Sequence, residues 1–307
     1  GDESEQIEVK FLTYNICSWI PEKDEVGFEH RMRAICDVIQ EHDICALQEV
    51  SPQARSFIQS VLGNGYKIFW GGINEGDLPI TQVVLVKTSF HFYQRDVSNV
   101  DVLRYRFQND EGLMIVRFGS NFAVLNLHAT SGSAQSRNMT DAELERRRNA
   151  RHENYKLADH ICYELSTGKF KFDSNSSSAL NLVASTAFKG TPPQECHGQC
   201  DGNRPIVPVI LAGDFNADLD DPQNSPEAVN AFGKCWTFLH GWKTGVTETH
   251  ENALRKKLKP YQRKHDRYDA IYCNNCFETV ATSGRPFCVV GDKNVVLDTY
   301  PPSDHYG

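Results

Sequence analysis

The chain has 307 residues, ten cysteines and a formal net charge of −8 at neutral pH. That length supports a sizeable core, and cysteine this sparse does not make a disulfide scaffold. No apolar run approaches the roughly 18 residues of a membrane span, so no transmembrane helix is expected. The overall acidity argues against a purely electrostatic nucleic-acid scaffold but leaves room for a local basic surface.

Residues 7–16, IEVKFLTYNI, set Ile7, Val9, Phe11, Thr13 and Asn15 against Glu8, Lys10, Leu12 and Tyr14, which predicts a strand. The spacing of Phe28, Met32, Ile35, Val38 and Ile39 predicts a helix over 28–42. Buried strands are expected at 43–50 (DICALQEV), 81–87, 112–118 and 121–128. Thr140 followed by Glu143 is a capping box opening a long helix over 140–165. Residues 166–204, rich in Ser, Gly and Asn, read as an irregular surface insertion.

The stretch VILAGDFNADLDD (209–221) then predicts a buried strand that closes at Gly213 and empties into acidic residues. At strand spacing Asp214 and Asn216 share a face, with Phe215 on the other. Such a pair at a buried strand end needs a metal ion, a phosphate or a helix N-terminus to offset its desolvation. A plain Asx-turn is the alternative. Cys17, Cys36 and Cys45 lie in apolar contexts and read as buried thiols. The Cys196/Cys200 and Cys273/Cys276 pairs lack partners at zinc-ribbon spacing. With no repeat or linker, one α/β domain over 1–307 is expected, carrying the 166–204 insertion.

The strand ends share a property. They finish in Asn15, in Glu49, in His128, and in Asp214 with Asn216; further on, RYDAIY carries Asp269 and PPSDHYG carries Asp304 and His305. Each has an ordinary explanation alone, as a cap or a satisfied core group. Together they predict one site.

In that order, and with LQEV, GDFN and SDH as they stand here, the chain resembles the endonuclease/exonuclease/phosphatase (DNase I-like) superfamily. The resemblance spans Ile7 to Gly307 apart from the insertion. It implies an α/β, four-layer sandwich: two packed, mainly antiparallel sheets flanked by helices. It also implies phosphodiester hydrolysis dependent on Mg2+ or Mn2+, whose charge offsets that of the phosphoryl oxygens. Glu49 and Asp304 would then serve the metal, and Asp214 would accept a proton from the attacking water. Asn216 would orient water or phosphate, and His128 and His305 would bond its oxygens. Asp269 would hold His305, and Asn15 would position Glu49 or Asp214. The chain departs from this pattern twice. Cys17 stands where the apurinic-endonuclease and tyrosyl-DNA-phosphodiesterase branches carry aspartate. The family also continues past its Asp-His into a last core strand, so a truncated chain is expected.

Substrate class is read from charge. Lys256, Lys257 and Arg263 surround Tyr261 just before Asp269, and Arg146 leads a basic cluster on the long helix. Such groups grip a phosphate backbone, and the tyrosine stacks on a base; a solvated surface is the commoner fate of such runs. A nucleic-acid substrate is therefore expected ahead of a phospholipid, in a monomeric protein, with an intracellular compartment favoured over secretion.

Overall fold

In the structure, a computed structural model, the residues described are 9–18, 27–71, 81–107, 111–131, 139–171, 182–183, 207–217, 236–238, 248–249, 265–266 and 268–274. The chain opens with strand β1 (Phe11–Asn15), helix α1 (Phe28–Gln40), strand β2 (Ile44–Val50) and helix α2 (Pro52–Leu62). Strands β3 (Tyr66–Trp70) and β4 (Thr81–Lys87) complete a first sheet in the order β1-β2-β4-β3. A short helix α3 (His91–Asp96) leads to β5 (Val100–Arg106), β6 (Gly112–Phe118) and β7 (Phe122–His128). After helix α4 (Asp141–Ser166) come β8 (Leu182–Val183), β9 (Val209–Asp214) and β10 (Trp236–Phe238). The short pair β11 (Glu248–Thr249) and β12 (His265–Asp266) precedes β13 (Asp269–Asn274). The second sheet runs β10-β13-β9-β7-β6-β5-β8.

Local chemistry sets several of these boundaries. Ser51 caps α2 by accepting the Ala54 N–H, with Pro52 in the first turn, where a missing N–H does no harm. Thr140 accepts the Glu143 N–H at the start of α4, but the Glu143 carboxylate turns to Arg146 and Arg147. Half of the expected capping box therefore forms. Helix α1 stops at Gln40, two residues short of its predicted end. The predicted insertion begins where α4 ends at Ser166; within it Leu182–Val183 pair in parallel with β5, and 172–181 and 184–204 lie outside the described residues.

The layers follow from strand parity. Cys45, Leu47, Val83 and Leu85 face α1 and α2, meeting Met32, Ile35, Ile39, Ile58 and Leu62. Ile44, Val84 and Val86 face the second sheet and meet Met114, Val116, Phe118, Val124 and Ile210. Leu113, Leu125 and Leu211 face α4 through Tyr155, Ile161 and Leu165. The order is helices, sheet, sheet, helix, and most strand pairs are antiparallel, as expected. Both faces of β1 are consequently covered, which is why Leu12 and Tyr14 are as buried as the opposite row. Burying each large aliphatic side chain contributes about 1.5–3 kcal/mol.

One polar network interrupts the apolar interlayer. The fully buried Asn126 of β7 donates to the carbonyls of Leu47 (2.8 Å) and Val83 (3.0 Å) and accepts from Gln48 Nε2 at 2.7 Å. Both carbonyls sit where the β2–β4 ladder shifts register, so the amide supplies donors across the layer at that break. Gln82 reaches the Asn126 and Gly112 carbonyls, and Arg104 donates to Gln82. Asn126→Ala removes the side-chain donors of two buried carbonyls, each worth about 1–3 kcal/mol when unsatisfied, while Gln48 Nε2 keeps the Ala46 carbonyl and the Thr13 hydroxyl. Urea denaturation is expected to show a loss of about 3 kcal/mol; a loss below about 1 kcal/mol would contradict this bridging role.

Candidate active site

Strand pairing gathers the site. In the parallel pair β1–β2, Asn15 lies level with Gln48, one residue before Glu49. In the second sheet His128 lies level with Asp214, and Asp214 with Asp269, across β7, β9 and β13. Asn15, His128, Asp214 and Asp269 all continue rows that face the opposite sheet, as Phe11, Val124, Ala212 and Cys273 do. They occupy the end of the interlayer where apolar packing gives out.

Glu49 breaks that parity. Alternation from Leu47 would send its carboxylate toward the apolar layer under α1 and α2. Its φ of +54° turns the chain instead, and Val50 takes the apolar position. A left-handed conformation costs a side-chain-bearing residue about 1–2 kcal/mol. Among the described residues the other non-glycines at positive φ are Cys17 (+47°) and Asn216 (+50°), at the ends of β1 and β9. All three strained turns border the same cluster, as expected where backbone strain serves to aim side chains.

The cluster is tight. Asn15 Nδ2 donates to Glu49 Oε1 at 3.0 Å and to Asp214 Oδ2 at 2.9 Å. Its Oδ1 accepts the Cys17 N–H at 3.0 Å, which fixes the amide's orientation. His128 Nε2 lies 3.8 Å from Glu49 Oε1 and 4.0 Å from Asp214 Oδ2. One ligand atom from each of Glu49, His128 and Asp214 falls within 4.8 Å of the others. Two carboxylates this close, one of them 1% exposed, repel unless positive charge is shared between them. Hard oxygen donors with an imidazole suit a small divalent cation.

Asp214 also accepts the Asn216 N–H on Oδ1 at 2.8 Å, an Asx-turn. The chain thus leaves strand geometry after Asp214. The Asn216 side-chain amide donates to the Ala129 carbonyl at 2.8 Å, tying the Asp214 turn to the end of β7. Gly213 permits this close pairing: at φ +148° a Cβ there would overlap the Leu127 carbonyl. Gly213→Ala is expected to lose on the order of 3 kcal/mol in denaturant unfolding. A wild-type midpoint would show that β7 and β9 need not approach so closely.

One carboxylate escaped the sequence reading. Glu111, 3% exposed, precedes Gly112, which lies level with His128. Its Oε1 accepts the Ser131 N–H at 2.6 Å, and its Oε2 is buried without a hydrogen bond among the described residues. Burial pushes its carboxyl above the usual range, against the opposing charge of His128, the Ser131 bonds and Arg147. In sequence Glu111 sits in a polar turn, and nothing local marks it as buried.

The remaining expected residues fall into two groups. Asp269 is buried beside Asp214, as its register requires. Arg146 is matched by Glu143 at 2.8 Å on the exposed face of α4, while Arg147 and Arg151 donate to the Ser131 and Thr130 carbonyls. That cluster therefore braces the loop after His128, and only part of it faces solvent. Asp304, His305, Lys256, Lys257, Tyr261 and Arg263 lie outside the described residues. The expected Asp269–His305 contact lies there too.

No family model and no curated protein sequence matches the chain. Solved structures do. TDP2 from Caenorhabditis elegans superposes with a TM-score of 0.62 at 18% identity, covering 97% of this chain and 72% of that one. TDP2 from Danio rerio, complexed with a single-strand DNA product, gives 0.56 at 15%, covering 97% and 96%. Beta toxin from Staphylococcus aureus gives 0.57 at 14%, covering 97% and 98%. Identity this low speaks for architecture, and the architecture agrees: the chain has the DNase I-like α/β sandwich fold of these structures.

Proposed function

We propose that the protein is a divalent-metal-dependent phosphodiester hydrolase acting on nucleic acid. The observation that carries this reading is the Asn15 amide bonded to both Glu49 and Asp214, with His128 beside them. Glu49 would hold Mg2+ or Mn2+ at the edge of this cluster, beside Asp214 and His128. A bound divalent ion offsets charge on the phosphoryl oxygens and acidifies water.

The chain's own groups divide the rest of the work. Asp214 takes the proton of the attacking water, its carboxylate fixed by Asn15 on one oxygen and Asn216 on the other. His128 donates to a non-bridging oxygen. Asn216 holds the Asp214 turn against β7 through its side-chain amide N–H and, from sequence, orients water or phosphate. From sequence, Asp304 joins the metal environment and His305, held by Asp269, meets the phosphate. Nucleic acid is supported by the basic run around Tyr261 and by the likeness to a TDP2 complexed with single-strand DNA.

A sphingomyelin-type lipid offers the same bond and is the competing substrate. Incubation with a single-stranded oligonucleotide and with sphingomyelin vesicles, both in magnesium, separates the two. Oligonucleotide cleavage is the expected result. Cleavage of sphingomyelin alone would replace the nucleic-acid assignment, and turnover of neither would overturn both.

A further inference from the structure

We propose that Ser18 is a positioning residue for Glu49, setting metal affinity without touching metal or substrate; this rests on the metal-site reading above. Ser18 follows the strained turn at Cys17 and is 5% exposed. Two of its groups converge on one atom: its N–H donates to the Glu49 carbonyl at 3.1 Å and its hydroxyl donates to the same oxygen at 2.6 Å. The hydroxyl oxygen in turn accepts the Ser51 N–H at 2.5 Å. One side chain thus grips the peptide groups on both sides of Val50, just where the β2–β4 ladder has lost its register.

These bonds bear on the torsions that aim Glu49. Its left-handed φ takes the carboxylate out of strand alternation, and the carbonyl held by Ser18 belongs to the peptide that follows. With that peptide pinned, the side chain is directed to Asn15, His128 and Asp214. The platform beneath Ser18 is itself tied down. Arg31, 4% exposed on α1, donates from Nη1 to the carbonyls of Ile16 and Cys17, each at 3.1 Å. The end of β1 therefore carries Asn15 on one side of the cluster and, through Ser18, holds Glu49 on the other.

A purely structural Ser18 would serve only the start of α2, whose N-cap is Ser51. The two roles separate in a calorimetric Mn2+ titration of the full chain, with thermal unfolding alongside. Wild type is expected to bind at a saturable site. Ser18→Ala is expected to bind about tenfold more weakly, the low end for losing a group that orients a ligand. Ser18→Thr keeps the hydroxyl and restores affinity to within about twofold. In a Glu49→Gln background Ser18→Ala adds nothing further, because its effect passes through that carboxylate.

If Ser18→Ala does not fold, Ser18→Cys keeps the size, weakens the hydrogen bond and carries the same expectation. Wild-type affinity in the variant, with or without a lower melting temperature, would overturn the positioning role. So would an undiminished effect in the Glu49→Gln background. Absence of saturable Mn2+ binding in wild type would instead overturn the metal site itself, and the proposal with it.

Discussion

Asp214→Asn is expected to lower turnover by about 10²–10⁴-fold, the usual loss when a positioned general base is removed. The carboxylate is 1% exposed and both oxygens accept hydrogen bonds, from Asn15 and from the Asn216 N–H. An amide of the same shape keeps one acceptor and presents a donor where the other stood, so one contact becomes donor against donor. That mismatch destabilises by about 1–3 kcal/mol. Removing a negative charge beside Glu49 works in the opposite direction. Net stability should thus move little, while the barrier rises by about 3–5 kcal/mol. Single-turnover rates measured beside a thermal melt separate the two effects. A large melting shift with a nearly normal rate would assign Asp214 to architecture.

Glu49→Gln should act on metal dependence first. Losing the carboxylate that would hold the ion is expected to raise the magnesium concentration for half-maximal activity by about 10²-fold or more. Stability without metal should hold or rise, because Glu49 lies close to Asp214 through the shared Asn15 amide and neutralising it relieves repulsion. Linkage supplies a second readout. An ion bound only by the folded chain stabilises it by about 2.7 kcal/mol at a hundredfold excess over its Kd. Added Mg2+ or Mn2+ should therefore raise the wild-type melting temperature and leave that of Glu49→Gln almost unmoved. Equal shifts in both would place the ion elsewhere.

Legibility differed between periodicity and torsion. The strands that build the site announce themselves because both their faces are buried: ICALQEV and FAVLNLH are nearly continuous apolar runs, each broken by two polar residues, Gln48 and Glu49 in one and Asn126 and His128 in the other. The elements passed over are those with weaker contrast. β5, VDVLRYR, alternates polar with apolar residues near the sheet edge, and β3, YKIFW, is itself an edge strand. α2 was signalled by Ser51 and Pro52, but its apolar stripe of Ala54, Ile58 and Leu62 is narrow. The left-handed turn at Glu49 was not legible at all. Such a φ is ordinarily read from Gly or Asn, and here contacts from Ser18, 31 residues away in sequence, accompany it. Glu111 was hidden for the same kind of reason, since its burial depends on the Ser131 loop, 20 residues further on. In the GDFN stretch a ligand-compensated strand end and a strand running into a plain Asx-turn are the two readings the sequence offers; the Asx-turn is present, and it borders the Glu49, His128 and Asp214 cluster.

The central claim is that one cluster of Glu49, His128 and Asp214 hydrolyses phosphodiesters with a divalent ion. A chromogenic phosphodiester tests it without presuming the natural substrate, by following release of the leaving group from wild type and Asp214→Asn. The expected record is hydrolysis by wild type in magnesium, loss of activity on chelation, recovery on adding Mg2+ or Mn2+, and little turnover by Asp214→Asn throughout. Hydrolysis that persists in chelator, or that Asp214→Asn performs as well as wild type, would contradict the account.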